Sequence, residues 1–189
     1  MQYSLNNIGE INKMFHFYLL NINISGIKNI QNEVCIHFYK KTVDKDVDND
    51  KYRIKAIYGE NGSGKSAIIT AIKIFKDLMV NDYYLTESKT QIFLNEIINK
   101  TTGKFKFCCE YLLNLTDSDL ENKFVYYYSI EIGKNNDGLF EIQYEILKEK
   151  NGNYANNNYK IIFESKDGEL VQINCDESEK KEIQKKTAN

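Results

Sequence analysis

Proline and tryptophan are absent from this chain of 189 residues, and histidine occurs only as His16 and His37. The missing proline and tryptophan, beside abundant Asn, Ile, Lys and Tyr, point to an AT-rich coding bias and carry no functional message. Two histidines and four cysteines (Cys35, Cys108, Cys109 and Cys175) without C-x-x-C spacing exclude a credible zinc set. The cysteines read as reduced structural thiols. No apolar run approaches the roughly eighteen residues of a membrane span, and Met-Gln-Tyr-Ser-Leu-Asn-Asn at the start has neither the basic nor the apolar block of a secretory signal. A cytoplasmic protein without a membrane partner is expected. A net charge of -2 and a pI near 5.8 leave no global electrostatic footprint for nucleic acid, although a local basic stripe is compatible with such a total. What is present, 42% hydrophobic and 28% charged residues, suits a folded chain with one sizeable core or a domain with a subdomain.

The most informative run is Gly59-Glu60-Asn61-Gly62-Ser63-Gly64-Lys65-Ser66, which satisfies G-x-x-x-x-G-K-[ST] in full. Glycines let the backbone curl around a polyphosphate, so that N–H groups from about Asn61 to Ser66 point at the anion. The loop then enters a helix through Ala67, at an end carrying partial positive charge. Lys65 is placed to reach β- and γ-phosphate oxygens, and the Ser66 hydroxyl to bind Mg²⁺. The flanks suit the chemistry. Tyr52 to Tyr58 reads as a strand, and Ile68, Ile72, Phe75 and Met79 recur at a helical period over 67–80.

Elsewhere, Leu20, Ile22 and Ile24, then Val34, Ile36 and Phe38, alternate with polar neighbours as two half-buried strands, joined by a turn over 26–32. His37 falls on the polar side of its strand. Residues 41–51 are aspartate-rich and aperiodic, a surface loop that lacks the glycine and glutamate of a calcium-binding hand. Ser88-Lys89-Thr90-Gln91 resembles a capping box, and Phe93, Leu94, Ile97 and Ile98 extend a helix over about 88–100. From 104 the period becomes two: Phe105, Phe107, Cys109 and Tyr111, then Phe124 to Ile132, then Phe140 to Ile146, an antiparallel meander whose last hairpin pairs 159–163 with 169–173. Its tyrosines suit a packed sheet better than a base-stacking platform. Three parts are expected: a nucleotide-binding core over 1–103, an antiparallel β lobe over 104–175 and a charged tail over 176–189.

Leu19 to Ile30, a second short strand, and Ile57 to Ser66 with Ile72 in the following helix together resemble the N-terminal half of a RecF/SMC-like ABC-type ATPase. Bacterial AAA ATPases of the OLD and abortive-infection kind share this layout, and Asn61-Gly62-Ser63-Gly64-Lys65-Ser66 is the loop version typical of them. Tyr126 to Ile132 and Glu141 to Leu147 resemble the antiparallel lobe of such heads. The resemblance implies an α/β fold, a P-loop NTPase-like sheet with flanking helices plus a β-meander lobe. It also implies ATP and Mg²⁺ as ligands, Lys28 or Asn29 beside the nucleotide, and a magnesium-sensing glutamine with Gln91 and Gln143 as candidates. The partners it implies are a second copy of the head or a C-terminal ATPase half, an effector nuclease or toxin, and DNA, in repair or anti-phage defence.

The chain departs from that family in three respects. Four apolar residues followed by Asp-Glu are absent, the nearest run being Leu112-Leu113-Asn114-Leu115-Thr116-Asp117, and there is neither a Leu-Ser-x-Gly signature nor a histidine after His37. Without an acidic Walker B pair, magnesium lacks its aspartate and the attacking water its base. An N-terminal piece of a larger ATPase, inactive alone, is expected. A non-hydrolysing module completed by a partner chain is the alternative, and a transporter-type ATPase fragment ranks third.

Overall fold

The computed structural model describes residues 14–38, 54–117, 120–152 and 158–174. The aspartate-rich stretch 41–51, Cys175 and the charged tail 176–189 lie outside the described residues. Two strands, β1 (Met14–Ser25) and β2 (Val34–His37), precede helix α1 (Lys65–Val80), a short 3-10 turn (Tyr84–Thr86) and helix α2 (Ser88–Ile97). Then come β3 (Lys104–Asp117), β4 (Leu120–Lys134), β5 (Phe140–Asn151), β6 (Lys160–Lys166) and β7 (Glu169–Ile173). All seven strands join one sheet in the order β2-β1-β3-β4-β5-β6-β7, and every neighbouring pair is antiparallel.

Period-two alternation puts one apolar side chain from each strand on a common face, and the register aligns them into rows. Ile24 stands opposite Phe107, which stands opposite Ile130. Phe105, Phe107, Ile24, Ile130 and Ile132 are almost fully buried there, each stabilising the fold by roughly 1.5–3 kcal/mol. α1 lies on this face through Ala67, Ile68, Ala71 and Ile74, and Phe75 stacks on Phe107 with ring centroids 4.4 Å apart. The two alanines suit a close approach of helix to sheet. The tyrosines are structural: Tyr111 stacks on Tyr126 at 5.2 Å, and Tyr128 is buried with its hydroxyl donating to Glu145.

This architecture overturns the expected α/β fold. The described residues form an antiparallel sheet with only two α-helices, not a P-loop NTPase-like sheet flanked by helices. The decisive difference is the segment before the phosphate loop. Residues 54–60 have no strand hydrogen bonding, and Ile54 and Tyr58 are each 91% exposed. β1 pairs with β3 along most of its length and with β2 over residues 21–24, and residues 54–60 join neither the outer edge of β2 nor any other strand.

Two finer expectations also fail. Ile72 and Met79 were expected on the packed side of the loop helix, yet they are 39% and 50% exposed while Ala71 and Ile74 take the buried side. The capping box at Ser88 is absent. Glu87 caps α2 without a side-chain bond, and Gln91 instead donates to Leu85 O (2.6 Å) and Phe140 O (2.9 Å) while accepting from Phe140 N (2.7 Å). α2 therefore ends at Ile97, because Ile98 leaves the helix to bridge with Ile27.

Burial pushes the phenols of Tyr84 and Tyr144 up to about 12, with nearby carboxylates adding to the effect, and raises those of Tyr111, Tyr126, Tyr127, Tyr128 and Tyr159 as well. Unfolded tyrosines release their protons near pH 10, while the folded chain still holds them, so the native state binds more protons above that point. Stability is accordingly intact below about pH 10 and falls as pH rises toward 12. Urea midpoints followed by circular dichroism are expected to drop steadily over that window, in step with tyrosinate absorbance. A midpoint unchanged across it would contradict the burial of these rings.

Candidate phosphate-binding site

The loop 59–64 runs directly into α1 at Lys65. Gly64, with φ 95, makes the left-handed turn that starts the helix, and a Cβ there would stand 3.3 Å from Ile30 Cγ1. Glycine thus allows both the backbone angle and the approach of the β1–β2 turn. No carboxylate occupies the first turn of α1 and no side chain caps it, so nothing competes with an incoming anion for the positive end of the helix.

Lys65 folds across the loop, its ammonium donating to Gly59 O at 2.5 Å, Glu60 O at 2.6 Å and Ser63 Oγ at 3.4 Å. Those contacts pair a cation with neutral acceptors, and a phosphate oxygen carries more negative charge than either carbonyl. Ser66 is exposed at the mouth. The other end of the cleft is closed by the turn after β1. Lys28 donates to Thr70 Oγ1 at 3.1 Å, Thr70 in turn donates to Ser66 O at 2.7 Å, and the Asn29 amide donates to Gly62 O. The structure thereby brings Lys28 and Asn29 against Asn61, Gly62, Gly64, Lys65, Ser66 and Ala67, lining a cleft of about 390 Å³. That volume lies within the range of small-ligand pockets.

Gln91 and Gln143 are not part of this cleft. Gln91 is spent on Phe140, and Gln143 lies over Gly133 with its amide donating to Lys134 O at 2.9 Å. Leu112 to Asp117, the nearest approach to a Walker B run, is the end of β3 and pairs with both β1 and β4. Among the described residues no Asp or Glu lines the cleft. Ser66 is the hydroxyl there placed to bind magnesium, whose other ligands would be phosphate oxygens and water. Among the described residues no group of three His, Cys, Asp or Glu side chains is placed to hold a metal ion, and no helix is long and apolar enough to cross a membrane.

Two participants escaped the sequence reasoning. Thr70 stands four residues after Ser66, a spacing that puts both on one helix face, so it could have been found. Asn99, whose amide donates to Lys28 O at 2.7 Å, has no local signal, since 71 residues separate the partners. No protein-family model, curated protein or solved structure matches this chain.

Proposed function

We propose that the chain binds a magnesium nucleoside triphosphate, ATP, on the loop Gly59–Ser66, and serves as the ATP-binding part of an ATPase head whose catalytic acids come from another polypeptide segment or chain. The observation that carries this is the junction of a complete phosphate-loop sequence with an uncapped, carboxylate-free helix N-terminus beside an open cleft. Lys65 supplies a mobile cation, Ser66 a hydroxyl ligand to magnesium, and the loop amides neutralise the remaining charge. Hydrolysis is not expected from the chain alone, because its sequence has no acidic Walker B pair to hold magnesium and take a proton from water.

A second observation favours completion by further polypeptide. Ile69, Ile72 and Met79 share a face of α1 at helical spacing and remain exposed, as do Ile54 and Tyr58 just before the loop. Exposed apolar groups gathered around one site mark a surface that another structure covers. A role in DNA maintenance or anti-phage defence, with an effector nuclease or toxin as partner, follows only from the resemblance to RecF/SMC-like heads.

Titration of the purified chain with a fluorescent ATP analogue, with and without Mg²⁺, tests this directly. Saturable, magnesium-strengthened binding with no phosphate release is the expected result. Absence of binding at millimolar nucleotide would reject the proposal.

A further inference from the structure

We propose that Asn99 is a positioning residue for the phosphate loop, acting through the turn at Gly26–Ile30; this rests on the nucleotide-binding role of Gly59–Ser66. Asn99 is 8% exposed and lies just beyond α2. Its side-chain oxygen accepts from Thr101 N at 2.9 Å and Thr102 N at 3.2 Å, and its amide nitrogen donates to Lys28 O at 2.7 Å. Its backbone N–H donates to Gly26 O at 3.0 Å. Only a carboxamide can accept two amide protons and donate to a carbonyl in that geometry.

Lys28 shows what the clamp does. Its φ is 50, the left-handed region that a residue with a Cβ occupies only when its surroundings over-determine it. Its surroundings do so from both sides, since Lys28 N donates to Ile97 O at 2.6 Å and Lys28 O accepts from Asn99. Held in this way, the turn directs Asn29 onto Gly62 O and Lys28 onto Thr70, and it sets Ile30 against Gly64. One hydrogen-bonded path therefore runs from the end of α2 through the turn to the loop. Asn99 touches no ligand, and its influence on the site passes through Lys28 and Asn29.

Two variants test the path in the full chain: Asn99→Asp replaces the donor to Lys28 with a carboxylate oxygen, and Asn29→Ala removes the donor to Gly62 without placing charge in the cleft. Amide hydrogen exchange is measured without nucleotide at Ser63, Ala67 and Ile68, whose N–H groups donate to Glu60 O and Gly64 O, alongside β3 and β4 as internal references. Both variants are expected to speed exchange at these three amides about tenfold while β3 and β4 keep their protection, and to weaken affinity for the fluorescent ATP analogue by a similar factor. The proposal is overturned by unchanged exchange at these amides in either variant. It is equally overturned if Asn99→Asp loses protection throughout the sheet, which would make Asn99 a residue of the fold at large. Failure of the unaltered chain to bind nucleotide is a separate result: it rejects the proposed function, while the exchange data still decide the role of Asn99.

Discussion

Lys65→Ala is expected to weaken binding of the magnesium nucleotide by about two orders of magnitude while leaving the stability of the chain unchanged. Charge-assisted hydrogen bonds contribute roughly 1.5–3 kcal/mol each, and loss of two such contacts to phosphate oxygens corresponds to about 3 kcal/mol, or a factor above 100. The fold does not depend on this side chain. Its partners are carbonyls of the exposed loop and the hydroxyl of Ser63, not core groups. Isothermal titration of both proteins, with thermal melts run in parallel, separates the two effects. Equal affinity in the two would exclude the loop as the nucleotide site, and a large fall in melting temperature would show that the ammonium holds the loop together.

The largest effect on stability is expected from Gly26→Ala. Gly26 has φ +73, and a Cβ there would stand 1.7 Å from Lys104 O and 2.8 Å from Lys104 C. Left-handed backbone costs an alanine about 1–2 kcal/mol, and the clash is with main chain at the start of β3, which no rotamer change can relieve. A loss of about 3 kcal/mol or more is expected, lowering the melting temperature by roughly 6–12 °C for a chain of this size. Gly138→Ala is the matched comparison. It has φ +80 with nothing within 4 Å of the added carbon, so it should lose only the backbone contribution. Similar melting temperatures for the two variants would show that the turn at Gly26 moves away from β3 at little cost. Because the same turn carries Lys28 and Asn29, Gly26→Ala should also impair nucleotide binding, whereas Gly138→Ala should not.

Much of the sheet could be read in advance because side-chain alternation is a local property. Phe105, Phe107 and Cys109 announce one face of β3, and the polar, glycine-bearing turns at 135–138 and 167–168 separate hairpins whose partners lie nearby in sequence. The proposed phosphate loop was legible as a motif for a similar reason, since its pattern is contained in eight consecutive residues. Helix faces were less so. α1 is apolar on more than one side, and choosing Ala71 over Ile72 for the buried side requires knowing how closely the helix approaches β3 and β4.

The segment before the loop failed for a reason that periodicity cannot express. Ile54 to Tyr58 has the composition of a strand, but composition supplies no partner: the segment pairs with no strand of the sheet, although β2 and β7 each keep an outer edge. Glutamine candidates for sensing magnesium failed likewise. Gln91 and Gln143 each have a nearer main-chain partner.

Residue order alone carried the phosphate-loop chemistry proposed above and the strands that follow α2, because backbone curl, helix onset and pleat each depend on close neighbours in the chain. The docking of Lys28 and Asn29 on that loop, the bracing by Asn99 and the lack of strand pairing at residues 54–58 emerged only on folding. Each depends on atoms far apart in sequence competing for the same hydrogen bonds, and such a competition is resolved in three dimensions.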